Sequence, residues 1–390
     1  TLSYNLYGHA LPPGAPVEAV PVVTSWRIAP GAGQPAVVRE YEFSRHNYFG
    51  YGAGYLWSDN EDYLYQNASD YVYSSTETMI AGAQSTRIER LYNRFHLMIS
   101  QQTTIGTKVQ RTLIDYHDAH GKSFNEQPAI FQLQKSLSVT YYDMRSPQNA
   151  RTEITRTSYD SSGNLLETQS PTGGREINTY YAAAGETGCP ASPSGFVHFL
   201  KSKSVIPSPA FSAAPSTRIE HTYADLPSLQ GSSKRFLVLL SDELYEVGTA
   251  EPLVRTTYRY VSDPTQIQYG KVSGRTDTVG GAATTYTHTY TQAQGCLHVS
   301  QSVEAGGHSS MQQAWYDELS GQEVKVCDHD QSLLESTYDG LGRLKCETVA
   351  SPTHPASRQY AYHLPSDAEG EARHTIVNSR GAQHATTFDG

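Results

Sequence analysis

Cysteine is scarce in this chain: four among 390 residues, Cys189, Cys296, Cys327 and Cys346. Their spacing fits neither a CxxC pair nor a zinc framework, so free thiols are expected and no metal or other cofactor is implied. Helical periodicity is nearly absent. The best short candidate, Asp242 to Val247, reads equally well as a strand. No apolar run is long enough to cross a bilayer as a helix, and the first residues do not read as a signal peptide. Basic residues are in the minority, 29 against 39 acidic ones, for a formal charge of -10. That argues against the basic footprint of a nucleic-acid binder, and no nucleic-acid partner is expected. Phenylalanine is sparse as well, 10 against 28 tyrosines. Tyrosine suits a pleated surface on which the ring is half covered and the hydroxyl stays wet.

What is present is strand. Val37 to Phe43, Ser85 to Tyr92, His96 to Ile99, Lys271 to Val279 and Thr284 to Thr291 alternate or carry nearly pure β composition between Gly, Asn and Asp turns. Proline and alanine gather at Ala10 to Pro21, Ala182 to Pro193, Val205 to Pro215 and Ser351 to Pro355, which read as connections. The implied fold class is all-β and antiparallel. The chain divides into an N-terminal segment or connection at 1–36 and two strand-rich regions at 37–200 and 201–390. It begins without Met and stops at Phe388-Asp389-Gly390, which reads as the start of a further repeat, so a piece of a longer protein is expected.

One element recurs. It runs Tyr159-Asp160-x-x-Gly163-x-Leu165 and again Tyr338-Asp339-x-x-Gly342-x-Leu344, with a longer copy at Tyr316-Asp317 to Gly321 and a looser one from Tyr116 to Gly121. A strand ends at the tyrosine. The aspartate accepts bonds from amides two or three residues on, the glycine takes a dihedral that a side chain forbids, and the leucine opens the return strand. One hairpin is unstable alone, whereas stacked copies bury a shared face.

Three constellations invite chemistry. Asp115, His117, Asp118 and His120, with Asp328, His329 and Asp330, have metal-ligating side chains but no ligand framework, and they read as polar turns. Gly50, Gly52 and Gly54 lack the strand-turn-helix context of a phosphate loop. The aromatic run Tyr48, Phe49, Tyr51, Tyr55, Trp57, Tyr63, Tyr65, Tyr71 and Tyr73, flanked by Asp59, Asn60, Glu61 and Asp62, has the composition of a carbohydrate-binding surface, with Tyr55 and Trp57 as the candidate contacts. It also fits ordinary sheet packing. Glu61 and Asp62 are adjacent, so a strand sends them to opposite faces, which argues against a glycosidase. No nucleophile elbow occurs, and Cys189 has no feature that would activate it. No catalytic residue emerges. A hydrolase would need a polar pocket that the sequence does not locate.

The Tyr-Asp-x-x-Gly-x-Leu elements resemble the tyrosine-aspartate (YD) repeats of the RHS superfamily. The segments 44–52, 88–97, 185–202 and 217–227 resemble the middle-to-C-terminal part of the B component of bacterial Tc (ABC-type, insecticidal) toxin complexes, a resemblance spanning most of residues 37 to 350. It implies antiparallel YD/RHS hairpins forming part of a spiralling hollow shell. The function implied is that of a structural wall, not an enzyme, in a secreted complex that encapsulates an unfolded cytotoxic cargo for delivery through a partner pore. The implied partners are a C component completing the shell, the encapsulated toxin domain, and a pore-forming A component docked through a region not seen here. No propeller, aspartate protease motif or variable toxic domain is recognisable. The other reading the residues leave open is an aromatic-rich carbohydrate- or receptor-binding module.

Overall fold

Strand after strand pairs with its neighbour in the chain. The computed structural model describes residues 1–29, 35–66, 70–211, 213–229, 232, 235–350, 355–364 and 372–388. Asp389, Gly390 and most of the connection from Ser351 to Pro355 lie outside them. Among the described residues there are 25 strands. The chain forms two units, one of Thr1–Asn178 with Val205–Ala214, the other of Thr179–Ser204 with Pro215–Gly390. In the first, antiparallel ladders run from Leu2–Ala10 with Ala19–Ile28 through to Leu165–Gln169 with Arg175–Tyr180. In the second they run from Thr217–Leu226 with Phe236–Glu246 to Ala372–Asn378 with Gln383–Phe388.

This corrects the expected spiralling hollow shell. The described ladders are all antiparallel and show no closure: among them each strand pairs only with its chain neighbours, and Leu2–Ala10 pairs with Ala19–Ile28 alone. The physical reason lies in the turns. A two-residue hairpin or an Asp-Gly loop dictates pairing with the next strand. Neither dictates closure between strands far apart in sequence.

The burial pattern follows from a single layer. A strand packed on one side alternates between buried and exposed residues. Here Thr217–Leu226 and Cys296–Ala305 are half-buried at nearly every position on both faces. The accessible surface is 24204 Å², against roughly 15,000 Å² for a compact monomer of this mass. Among the described residues only Phe95 and Leu64 of the large side chains are fully buried. They lie in the first unit beneath the turns that cap the strands, where Phe95 packs edge-on against Phe131 and Tyr65.

A sheet without a second layer depends on its own edges and bulges. Among the described residues eight tyrosines (Tyr4, Tyr92, Tyr116, Tyr159, Tyr223, Tyr260, Tyr316 and Tyr338) sit where the facing strand carries one extra residue. Such a bulge interrupts the ladder and weakens the satisfaction of its backbone groups. The next strand then supplies a donor. The bulge opposite Tyr92 is at Met98, whose carbonyl accepts from the Tyr116 hydroxyl at 2.9 Å. The bulge opposite Tyr223 is at Leu239, which accepts from Tyr260 at 2.6 Å. Val272, opposite Tyr260, accepts from Tyr290 at 2.7 Å, and Glu323, opposite Tyr316, from Tyr338 at 2.8 Å. Phenylalanine would fill the same space and leave each carbonyl without this donor.

The buried Tyr116 therefore tests the arrangement. Tyr116→Phe is expected to cost about 1–2 kcal/mol, because a part-buried acceptor loses its partner, whereas Tyr7→Phe on the exposed outer strand stays within about 0.5 kcal/mol of the parent. Urea unfolding midpoints measure both. Equal, negligible shifts would show that the hydroxyl adds nothing beyond the ring.

Candidate functional site

Two features have the density of polar contacts that function requires: the repeated loop and an aromatic cleft in the first unit. In the loop at Asp160, the carboxylate Oδ1 accepts from the amides of Ser162 (2.8 Å) and Asn164 (2.9 Å). The Asp160 amide donates to the Asn164 carbonyl, and the Gly163 amide donates back to the Asp160 carbonyl. Asp339 repeats the pattern with Leu341 (2.9 Å), Arg343 (3.0 Å) and Gly342. Asp317 stretches it by one residue, accepting from Leu319 and Ser320, with Gly321 returning to the Asp317 carbonyl. Gly163, Gly321 and Gly342 all have left-handed φ, 85°, 70° and 78°. Tyr159 and Tyr338 face Leu165 and Leu344 across the hairpins, and Tyr316 faces Glu323.

The same loop occurs where the tyrosine-aspartate signature is degenerate. Asn93 accepts from Phe95 and Leu97, and Asn378 from Arg380 and Ala382. Asp328 closes the same backbone bonds with Gln331 and Ser332, as Ser170 does with Gly173 and Gly174. The fourth position is left-handed in each: His96 at 59°, Gly381 at 80°, Gln331 at 64° and Gly173 at 87°. The signal available in sequence was an Asn, Asp or Ser followed three residues later by a residue able to take positive φ. Glycine is not essential there, although a side chain in that region costs roughly 1–2 kcal/mol.

The aromatic run folds into a small cluster with a cleft of about 310 Å³ at its edge. Trp57 lines this cleft, its indole Nε1 tied to Asp59 at 2.9 Å and its amide to the Pro13 carbonyl. Tyr55 does not line it and instead stacks on Tyr63, ring centroids 5.7 Å apart. Tyr48, Phe49, Asn60, Asp62 and His96 complete the part that matters chemically. The His96 ring bridges the Tyr73 hydroxyl and the Asp62 carboxylate, each at 2.8 Å. Asp62 also caps the short helix Tyr63–Gln66 through the Leu64 amide. Burial raises the Tyr73 hydroxyl well above its usual range, with Tyr92 and Asp62 adding to the effect, so the phenol stays protonated as a donor or a neutral acceptor.

Asp115, Asp118 and His120 line one cleft of the first unit with Asp70 and Arg94. Among the described residues no group of three or more metal-ligating side chains converges. His120 pairs with Asp70, and His329 folds back on Asp328. Cys189 is buried, and burial raises its thiol, with Glu186 adding to the shift.

No family model matches the chain, and no curated protein does either. Three solved structures are similar in outline. The chain aligns over 95% of its length with 19% of a chain in the crystal structure of TcdB2-TccC3-Cdc42, at 10% identity and a TM-score of 0.38. It aligns over 79% with 23% of a chain in TcdB2-TccC3, at 9% identity and a TM-score of 0.20. It aligns over 82% with 95% of a porin-like protein from Bacteroides uniformis, at 8% identity and a TM-score of 0.18. The resemblance to Tc-toxin complex components is weak. The chain spans about a fifth of those chains, and neither activity nor partners follow from the overlap.

The repeated loop predicts an acid limb. Asp160 is held below the usual carboxylate range: burial opposes this, but the Asn164 side chain and the loop amides outweigh it. The Ser320 amide and hydroxyl lower Asp317. The Arg343 amide lowers Asp339, burial opposing and the guanidinium assisting. Because the folded values lie below the unfolded one, the stability these groups contribute is present above about pH 4 and is lost as pH falls through the folded values. Replacing all three by Asn, which fills the same loop position at Asn93 and Asn378, is expected to flatten that limb in acid titrations of the unfolding midpoint. An unchanged limb would place the acid sensitivity elsewhere.

Proposed function

We propose that the chain is a wall segment of a secreted Tc-type toxin complex, covering a cytotoxic cargo that is held unfolded, and that it carries out no reaction of its own. The observation that carries this reading is the single-layer sheet. Strand after strand keeps both faces half-buried, and the accessible area far exceeds that of a compact monomer. A sheet of this kind is a surface to be covered. The resemblance of segments 44–52, 88–97, 185–202 and 217–227 to Tc B components supports a reading of what covers it. A C component forms the adjoining wall, the cargo lies against one face, and a pore-forming A component docks elsewhere.

The chemistry of the faces suits loose containment. In the second unit, Tyr258, Arg275, Tyr286 and Val303 are cross-strand partners on one face. Thr276, Thr285 and Thr287 lie on the other, with Ser302 facing Thr287. Arg275 lies over the Tyr286 ring and is paired with Asp277. Mixed apolar and paired polar groups offer an unfolded chain many weak contacts. The cargo then meets no folding incentive before it is threaded onward.

Co-expression tests the reading. The chain, within its natural polypeptide and together with a Tc-type C component, is expected to co-elute with it and to protect the C component's terminal region from protease. Free C component should be digested. Failure to co-elute, or equal digestion in both states, rejects the wall assignment.

A further inference from the structure

We propose that the cleft beside Trp57 binds a saccharide, taking a terminal sugar through one aromatic platform and a fixed set of hydrogen-bonding groups. This does not rest on the wall reading, since the cleft is built from turns and the short helix Tyr63–Gln66 of the first unit. Its volume, about 310 Å³, is at the small end of ligand sites, which suits a terminal sugar better than a long segment of chain. Trp57 is half-exposed at its wall and fixed at the edge by Asp59. An indole held in this way offers an apolar face to the C–H side of a sugar ring at little entropic cost. Around it stand the Asn60 amide, which both donates and accepts, the Asp62 carboxylate, which accepts, and the His96 ring. Tyr63 lines the same cleft, and its buried hydroxyl has no hydrogen-bond partner.

The strongest indication is the identity of residue 96. It occupies the left-handed position of the repeated loop, which Gly163, Gly342 and Gly381 fill elsewhere. Histidine there carries a backbone cost that glycine avoids, as Gln331 does in the Asp328 copy. The ring instead hydrogen-bonds at both nitrogens, to Tyr73 and to Asp62, and so fixes the carboxylate that faces the cleft. Asn60, also left-handed at 64°, adds a second non-glycine residue in that region on the same cleft. Backbone strain kept for the sake of a side chain is a mark of sites that hold ligands.

A quaternary ammonium is the competing occupant of an aromatic and acidic cleft. The ring contacts favour the sugar. Tyr48 and Phe49 pack against each other at 4.0 Å and against His9 at 5.4 and 6.4 Å. They are committed to the cluster and do not box a cation, and the Asp62 charge is shared with His96 and the Leu64 amide.

The test is an array of immobilised oligosaccharides probed with the chain, followed by calorimetric titration of the best-bound free oligosaccharide, with tetramethylammonium titrated in parallel. Binding is expected to fall at least tenfold in Trp57→Ala and in His96→Gly. Trp315→Ala, in the second unit and not among the residues lining the cleft, is expected to bind as the parent does. His96→Gly keeps the fold testable, because glycine is the residue this loop uses elsewhere, and its unfolding midpoint should not fall by more than that of Trp57→Ala. No oligosaccharide bound, equal binding by Trp57→Ala, or tetramethylammonium bound in place of the sugar would each overturn the proposal.

Discussion

The sheet depends on a hydroxyl placed against an interrupted ladder. Each bulge that turns a strand at its tyrosine end breaks the regular exchange of backbone bonds, and a single layer has no second sheet to shield the break from water. The bonds from Tyr116, Tyr260, Tyr290 and Tyr338 to carbonyls beside the bulges supply a donor from the following strand. Each such bond ties three strands together, because the tyrosine bonds to the very residue that an earlier tyrosine faces. Burial raises the phenols of Tyr116, Tyr260 and Tyr290, which keeps the donors protonated at any physiological pH. Cooperativity that a layered protein draws from its core is drawn here from a backbone-and-phenol network running along the sheet.

This network explains a composition that is otherwise odd. The excess of tyrosine over phenylalanine signalled half-wet aromatic surface, and the structure gives it a sharper meaning: several of the hydroxyls are structural donors to the main chain. Nothing in a single sequence marks which tyrosines face bulges, since the register shift arises from the pairing and not from a local motif. The strand content was legible because alternation and turn residues are local. The two regions rich in Thr and Gly, around Thr284 and Lys271, form strands Ala282–Ala293 and Val272–Val279, joined by Gly280 and Gly281.

The loop was legible only in part. Copies with aspartate and glycine at both key positions stood out at Asp160, Asp317 and Asp339. Those at Asn93, Asp328 and Asn378 share the hydrogen bonds but not the letters. Asparagine offers the same acceptor, and His96 or Gln331 takes the dihedral at a cost the rest of the hairpin absorbs. Closure was not legible at all. The hollow spiral came with the family resemblance, whereas each turn in this chain specifies nothing beyond its own two strands. An open sheet is what such turns build when no long-range contact overrides them.

The cleft at Trp57 shows the same division between what spacing can and cannot say. Aromatic and acidic residues crowded between Tyr48 and Tyr73 were enough to suggest a sugar-binding surface, and Tyr55 and Trp57 looked equivalent. Folding separates them: Tyr55 joins the stack on Tyr63, while Trp57 is drawn to the cleft by Asp59 and the Pro13 carbonyl. The residue that organises the polar side, His96, lies more than thirty positions from Asp62 and comes from a different hairpin. Its role is invisible without the loop geometry, because only that geometry shows that a glycine would have served the backbone better. A wall made of repeated loops needs no histidine at this position. Gln331 takes the same dihedral in the Asp328 copy, so the cost alone marks no site; what sets His96 apart is that its ring joins Tyr73 and Asp62 beside a cleft with the chemistry to hold a ligand.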